Sequence, residues 1–206
     1  GTHKNVYVGH ANVSNITGIS GKTTNSGNGI VLGHVSGGRI ERSVVHDSGE
    51  LCTANECAAG IWTYNSNTVV IEHNEVYKMR TGSVADGDGF DLDISTANSI
   101  MQYNYSHNND GPGFLLANDT NYSPNYFGNN TIRYNISKQD ARKNTAAGAI
   151  QAWGAIKNSH IYNNTVYITS NPNGLPNALT IGNWGIENQS ADGLYIRDIP
   201  TKPTKG

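Results

Sequence analysis

The stretch Ile71–Tyr77 reads IEHNEVY, and Met101–His107 reads MQYNYSH. Each opens on a large apolar residue, alternates in polarity and carries Asn at its fourth position. The pattern returns at Ile132–Lys138 (IRYNISK) and Ile161–Tyr167 (IYNNTVY), and without the Asn at Val8–Ser14 (VGHANVS) and Ile40–His46 (IERSVVH). The six starts lie 29 to 32 residues apart. Self-similarity at a near-constant period of this length is the mark of a repeat architecture, one supersecondary unit per period.

A second segment precedes most copies by 11 to 13 residues: GIVL (Gly29–Leu32), GIWT (Gly60–Thr63), GFDL (Gly89–Leu92), GFLL (Gly113–Leu116) and GAIQ (Gly148–Gln151). The fourth copy stands further off, because Asn118–Asn129 (NDTNYSPNYFGN) is inserted as a loop. Each repeat thus holds two or three short strands of period two, separated by Gly, Asn and Ser turns. No stretch has a helical period. The expected fold is all-β, a single-stranded parallel β-helix of about six to seven turns, its coils paired in register at about 4.8 Å. Asn74, Asn104, Asn135 and Asn164 then stack inside one corner as a ladder of side-chain amides, each with a partner along the stack. His73, Tyr103 and Tyr134 fall into a column beside it.

Composition agrees and excludes other classes. The 24 glycines and 11 tyrosines, against 2 methionines, argue against a helical protein. A net charge of −2 gives no electrostatic footprint for nucleic acid or an anionic membrane. No apolar run approaches the roughly 20 residues of a membrane span. The opening GTHKNVYV has neither a basic start nor an apolar stretch, and the end, Pro200–Gly206, has linker composition. The expectation is a β-helix over 1–197 with a tail over 198–206, either a mature product or a fragment. In a fragment, open coil ends call for self-association or a flanking β-helix segment. Cys52 and Cys57 close a short loop and are expected to form a disulfide in a protein secreted or held at the cell surface. Asn-x-Ser/Thr sequons occur several times, for example at Asn12, Asn118 and Asn188, as the Asn-rich composition alone would produce.

Together the coils resemble the right-handed parallel β-helix of the pectate-lyase-like superfamily, from Val6 to about Ile168 with a degenerate turn after it. GIWT-like segments stand as its first strand, VVIEH-like segments as its second and EVY-like segments as its third. The ladder Asn falls where that superfamily carries its own.

Alternation then sets the direction of the side chains. Ile61/Thr63, Phe90/Leu92 and Phe114/Leu116 point inward, whereas Trp62/Tyr64, Asp91/Asp93 and Leu115/Ala117 point out. Asp91 and Asp93 are expected on the solvent face, one rung from Trp62 and Tyr64, with Asp86 and Asp88 in the Gly-rich turn leading in. Aromatic faces stack on sugar rings, while carboxylates bind hydroxyls, hold Ca²⁺ or transfer protons. Two acids on one strand also run against its β propensity, and clustered like charges raise at least one pKa. The expected catalytic groups are Asp88, Asp91 and Asp93, with Trp62, Tyr64, Lys78, Arg80 and His107 as substrate contacts. Glu50 is a further candidate carboxylate. His46, Tyr77, His107, Lys138 and Tyr167 form a second outward column, read as a solvated face.

Asp88-Gly89-Phe90-Asp91 is similar to the Asp-Gly-aliphatic-Asp segment of polygalacturonases, which implies general acid and base roles. The run Ala85–Phe90 followed by His107–Gly111 looks like the turns of family-9 pectate lyases, which implies Ca²⁺ held by Asp86, Asp88 and Asp110. The polygalacturonase Gly-His-Gly and Arg-x-Lys segments are absent, and Leu115 stands where the lyase would carry another Asp. The expected function is polysaccharide or glycan cleavage, by hydrolysis ahead of elimination. The alternative is a non-catalytic adhesin, spike or fibre module that binds glycans or only spaces other parts.

Overall fold

A computed structural model describes residues 1–121, 126–143, 147–169, 177–183 and 189–200. Its strands are β1 His3–Gly9, β2 Asn12–Ser14, β3 Ile30–Gly33, β4 Val35–Glu41, β5 Val44–Ser48, β6 Ala59–Tyr64, β7 Asn67–Glu72, β8 Glu75–Met79, β9 Asp88–Leu92 and β10 Ile100–Gln102. There follow β11 Tyr105–His107, β12 Phe114–Asn118, β13 Thr131–Arg133, β14 Ile136–Lys138, β15 Gly148–Gly154, β16 His160–Tyr162, β17 Thr165–Tyr167, β18 Asn177–Gly182 and β19 Tyr195–Arg197. They sort into three parallel sheets, ordered β1-β4-β7-β10-β13-β16-β19, β2-β5-β8-β11-β14-β17 and β3-β6-β9-β12-β15-β18. Each strand pairs with its equivalent one coil away, as Ile61 with Phe90 and Phe90 with Phe114. This is the expected solenoid of about six coils, with strand signatures in the expected sheets. No described helix is long and apolar enough to cross a membrane.

The inward residues form one continuous core. Ile61, Thr63, Phe90, Leu92, Phe114 and Leu116 are all fully buried. Phe90 and Phe114 stack with centroids 5.1 Å apart. A large apolar side chain buried this completely stabilises the fold by roughly 1.5–3 kcal/mol. Thr63 fits among them because its hydroxyl donates to the Leu32 carbonyl at 2.8 Å.

The Asn ladder stands where the repeat placed it. Asn74 Nδ2 donates to Asn104 Oδ1 at 3.1 Å, Asn104 to Asn135 at 3.1 Å and Asn135 to Asn164 at 2.9 Å. Each Oδ1 also accepts the backbone N–H of the preceding ladder Asn, and each Nδ2 donates again to a carbonyl such as Ile71 O. The residue before each Asn turns the corner in the left-handed region, with φ of +56° at His73 and Tyr103 and +55° at Tyr134. Those three rings stack at 5.1 and 5.3 Å. Two further polar columns hold the other corners and escape the repeat reading. Ser66, Ser99, Asn130 and Ser159 accept backbone N–H groups at one. At the other, Asn109 accepts the Met79 N–H and Asp140 accepts the Asn109 N–H.

Asn118 is buried, with Oδ1 accepting from Ser95 N and Nδ2 donating to Ala155 O, so it is closed to a glycan. Asn188 and 201–206 of the tail lie outside the described residues.

Candidate functional site

The outward face of the β3-β6-β9-β12-β15-β18 sheet carries the site. Trp62 pairs with Asp91 and Asp91 with Leu115, so the aromatic, acidic and aliphatic rungs lie side by side. Parity breaks at the strand start. A Cβ at Gly60 or Gly89 would strike Val76 or Ser106 inside the coil, so Gly89 and Phe90 both face inward. Asp88 therefore faces outward with Asp91 and Asp93. It is the first residue of β9, not part of the turn before it.

The outward face is not open to solvent there, contrary to expectation. Asp88 is 2% exposed and Asp91 6%, and Leu115 and Ala117 beside them are buried. Loop residues flank the sheet here, and together they line a partly open cavity of about 440 Å³. Alternation fixes which side of a strand a residue takes, but not whether that side is flanked by loops. Trp62 and Tyr64 form one end, with centroids 5.3 Å apart. Asp86, Asp88, Asp91 and Asp93 line the middle, Leu115 and Ala117 the floor, and Gln151 and Trp153 the far end. From β6 to β15 is three rungs, roughly 14 Å. Trp62 Nε1–H donates to Asn28 Oδ1 at 3.1 Å, which fixes the indole plane.

The loop between Cys52 and Cys57, which are joined as a disulfide, forms part of the cavity wall beside the acids. Asn55, Glu56 and Cys57 line the cavity, and the Cys57 N–H donates to Asp86 Oδ2. Asp86 and Asp93 are half-buried, and Asp93 accepts the N–H of Ile94 at 2.7 Å. Desolvation pushes both acids up to about 7, against the pull of those N–H donors. The charge of Asp93 raises Asp86 further, as does that of Glu56. Burial holds Asp88 and Asp91 well above the usual carboxylate range, with neighbouring aspartates adding to it. Each keeps one buried oxygen, Oδ1, without a hydrogen-bond partner. That of Asp88 rests against Gly111, where a Cβ would collide with it.

Several expected contacts lie elsewhere. Lys78 is on β8, pairing with Asp47 at 3.6 Å. Arg80 donates to Asp110 Oδ1 at 3.0 Å and to Asn108 O at 2.8 Å. His107 is on β11, in a different sheet, where it meets Glu75 at 3.0 Å and stacks on Tyr77. None of the three lines the cavity. Lys78 and Arg80 miss the cavity because the coil turns a corner between β8 and β9, and His107 because it turns the same corner between β11 and β12. Glu50 is exposed and outside the cavity, and Glu56 occupies the wall instead. The expected Ca²⁺ set also separates. Asp110 is engaged by Arg80 and the Thr81 N–H, and among the described residues no three His, Cys, Asp or Glu are arranged to hold a metal. The residues therefore do not fit that ion. Glu56, Asp119, Gln151 and Trp153 escaped sequence reading. Only Gln151 and Trp153 left a signal, as outward positions on a strand in register with β12.

The chain matches the family described as right handed beta helix region over residues 2–166, and it belongs to that family. It is 34% identical over 113 residues to a lacto-N-biosidase of Bifidobacterium longum subsp. longum, a match covering 54% of this chain and 6% of that protein. The solved structure of the GH136 lacto-N-biosidase from Eubacterium ramulus superposes with a TM-score of 0.57 at 21% identity, over 86% of this chain and 26% of the other. The chain thus spans a small part of the length of either relative.

Proposed function

We propose that this protein is a glycoside hydrolase that binds a glycan in the cavity and cleaves a glycosidic bond there with Asp86 and Asp93. The observation that carries this is two half-buried carboxyl groups, both drawn to about 7, in a pocket ended by Trp62 and Tyr64 on one side and Trp153 on the other. Such hydrolysis needs one protonated and one ionised carboxyl. Because the charge of Asp93 raises Asp86, the shared proton rests on Asp86. Asp86 protonates the departing glycosidic oxygen, and Asp93 meets the anomeric carbon, directly or through a water. Asp88 and Asp91, neutral beneath them, offer O–H groups to sugar hydroxyls. The aromatic ends supply ring faces for stacking. The relative named lacto-N-biosidase makes lacto-N-biosides the first substrates to try. The disulfide supports an oxidising, extracellular setting.

The test is release of reducing ends from a synthetic β-lacto-N-bioside and a glycan panel. Asp86→Asn and Asp93→Asn should each lower turnover about 10²–10⁴-fold with the melting temperature retained. Wild-type rates in both variants, or no release by the wild type on any substrate, would remove the assignment. Turnover should fall on both sides of neutrality, as Asp93 gains its proton below about 7 and Asp86 loses its own above it.

A further inference from the structure

The loop closed by the disulfide does more than cap a coil. Cys52, Ala54 and Cys57 form a small buried cluster apart from the main core. On one side the loop is tied to the coil before it: Leu51 N–H donates to Thr17 O at 2.7 Å, and Gly21 N–H to Thr53 Oγ1 at 2.8 Å. On the other side it grips both ends of the segment 82–86 in the coil after it. Gly82 N–H donates to Cys52 O at 2.8 Å, and Asp86 Oδ2 accepts the Cys57 N–H. The two half-cystines are therefore the two anchoring residues. Asp86 itself sits in the left-handed region with φ of +60°, a conformation its surroundings must hold. Val84, at the crest of the gripped segment, is 86% exposed, so the segment has little packing of its own.

We propose that the Cys52–Cys57 loop is a clamp that walls the cavity beside Asp86 and fixes its carboxyl, so that the chemistry of the site depends on the intact disulfide. This rests on the glycosidase reading of the same cavity, and Cys57 is on this view a positioning residue. With the bridge cut, the loop gains conformational freedom at both ends. Asp86 then becomes more fully hydrated and Glu56 swings away, and both changes favour the ionised carboxylate. The lost Cys57 N–H acts in the opposite direction, but desolvation is the largest influence on this group and decides the sign.

The experiment is a carboxyl ¹³C NMR titration of Asp-labelled protein, wild type against Cys52→Ala/Cys57→Ala, which needs no turnover. The Asp86 midpoint should fall by at least one pH unit in the variant. Asp140, buried in another corner, should keep its own midpoint near 7 and reports that the coil is intact. An Asp86 midpoint that is unchanged or higher overturns the clamp. Reversible reduction of the wild type supplies the comparison without substitution. The midpoint should drop with reductant and return on reoxidation, and one that holds through the cycle overturns the proposal equally. A midpoint that falls as expected, together with full hydrolysis by Asp86→Asn, would keep the clamp and remove Asp86 from the reaction.

Discussion

Asp91 and Asp140 are both buried aspartates on the same solenoid, 6% and 1% exposed, yet their surroundings differ in kind. Asp140 sits at the end of a corner column and is fully served. Its oxygens accept from Ser137 Oγ at 2.6 Å, from the Asn109 N–H at 3.1 Å and from Asn109 Nδ2 at 2.9 Å. Asp91 lies on the cavity wall with Oδ1 unpartnered, in a lining that holds four other aspartates. A buried polar group without a partner costs free energy, on the order of 1–3 kcal/mol. The corner uses its carboxyl as a ladder amide would be used, whereas the wall holds one in reserve for something that enters. Burial alone does not distinguish them, but the presence or absence of a partner does.

The sharpest way to break this contrast is to neutralise each kind of acid. Asp93→Asn should reduce hydrolysis about 10²–10⁴-fold. Asp140→Asn should leave turnover unchanged, since an amide can continue the column. In stability against pH the two act with the same sign, since both are raised to about 7. Asp140 has its folded pKa raised from 3.8 to about 7, so the stability it contributes is complete below about 3.8 and is lost as pH rises through about 7. The wild type should thus melt at a higher temperature at pH 5 than at pH 8, and Asp140→Asn should flatten that slope. Differential scanning calorimetry across that range measures this, and an unaltered slope in Asp140→Asn would remove Asp140's share of it, leaving the cavity acids as its source.

Next in size is the Asn ladder, which extends the comparison to a neutral corner. Asn104→Ala strands the N–H of Asn74, its Nδ2 donor and the Ile71 carbonyl. It should cost about 3 kcal/mol in urea unfolding, with no change in the pH profile of hydrolysis. A smaller effect is expected at the end of the cavity. Trp62→Ala removes a stacking face of about 1 kcal/mol and should raise KM roughly fivefold with kcat retained. Smallest of all is Lys78→Ala, which breaks an exposed pair with Asp47. It should alter stability by no more than about 0.5 kcal/mol and activity not at all. A large activity loss there would bring β8 back into the site.

The coil was legible because each feature repeats. Period, strand signatures and Asn corner recur along the chain, so six imperfect copies of one statement support one another. The site has no such redundancy. Trp62, Tyr64 and Asp91 could be read because they occupy outward positions on the regular strands, and Asp93 because it continues the alternation one residue past β9. Glu56 and Asp119 lie outside the alternating pattern, in loops of irregular backbone, and nothing local marks them. Lys78, Arg80 and His107 misled because closeness along the chain stands in poorly for closeness across a corner.

What the amino-acid sequence determined unaided is the stacking of the coils and which side of each strand faces the core, since backbone pairing and apolar burial follow from period two and period thirty. Whether an outward residue meets open water or a cavity was decided only in three dimensions. Loops from neighbouring coils, one drawn together by Cys52 and Cys57, flank the sheet and leave Asp88 and Asp91 buried and Asp86 and Asp93 half-buried. Carboxyl reactivity depends on that hydration, and hydration is a property of the assembled wall, not of any single strand.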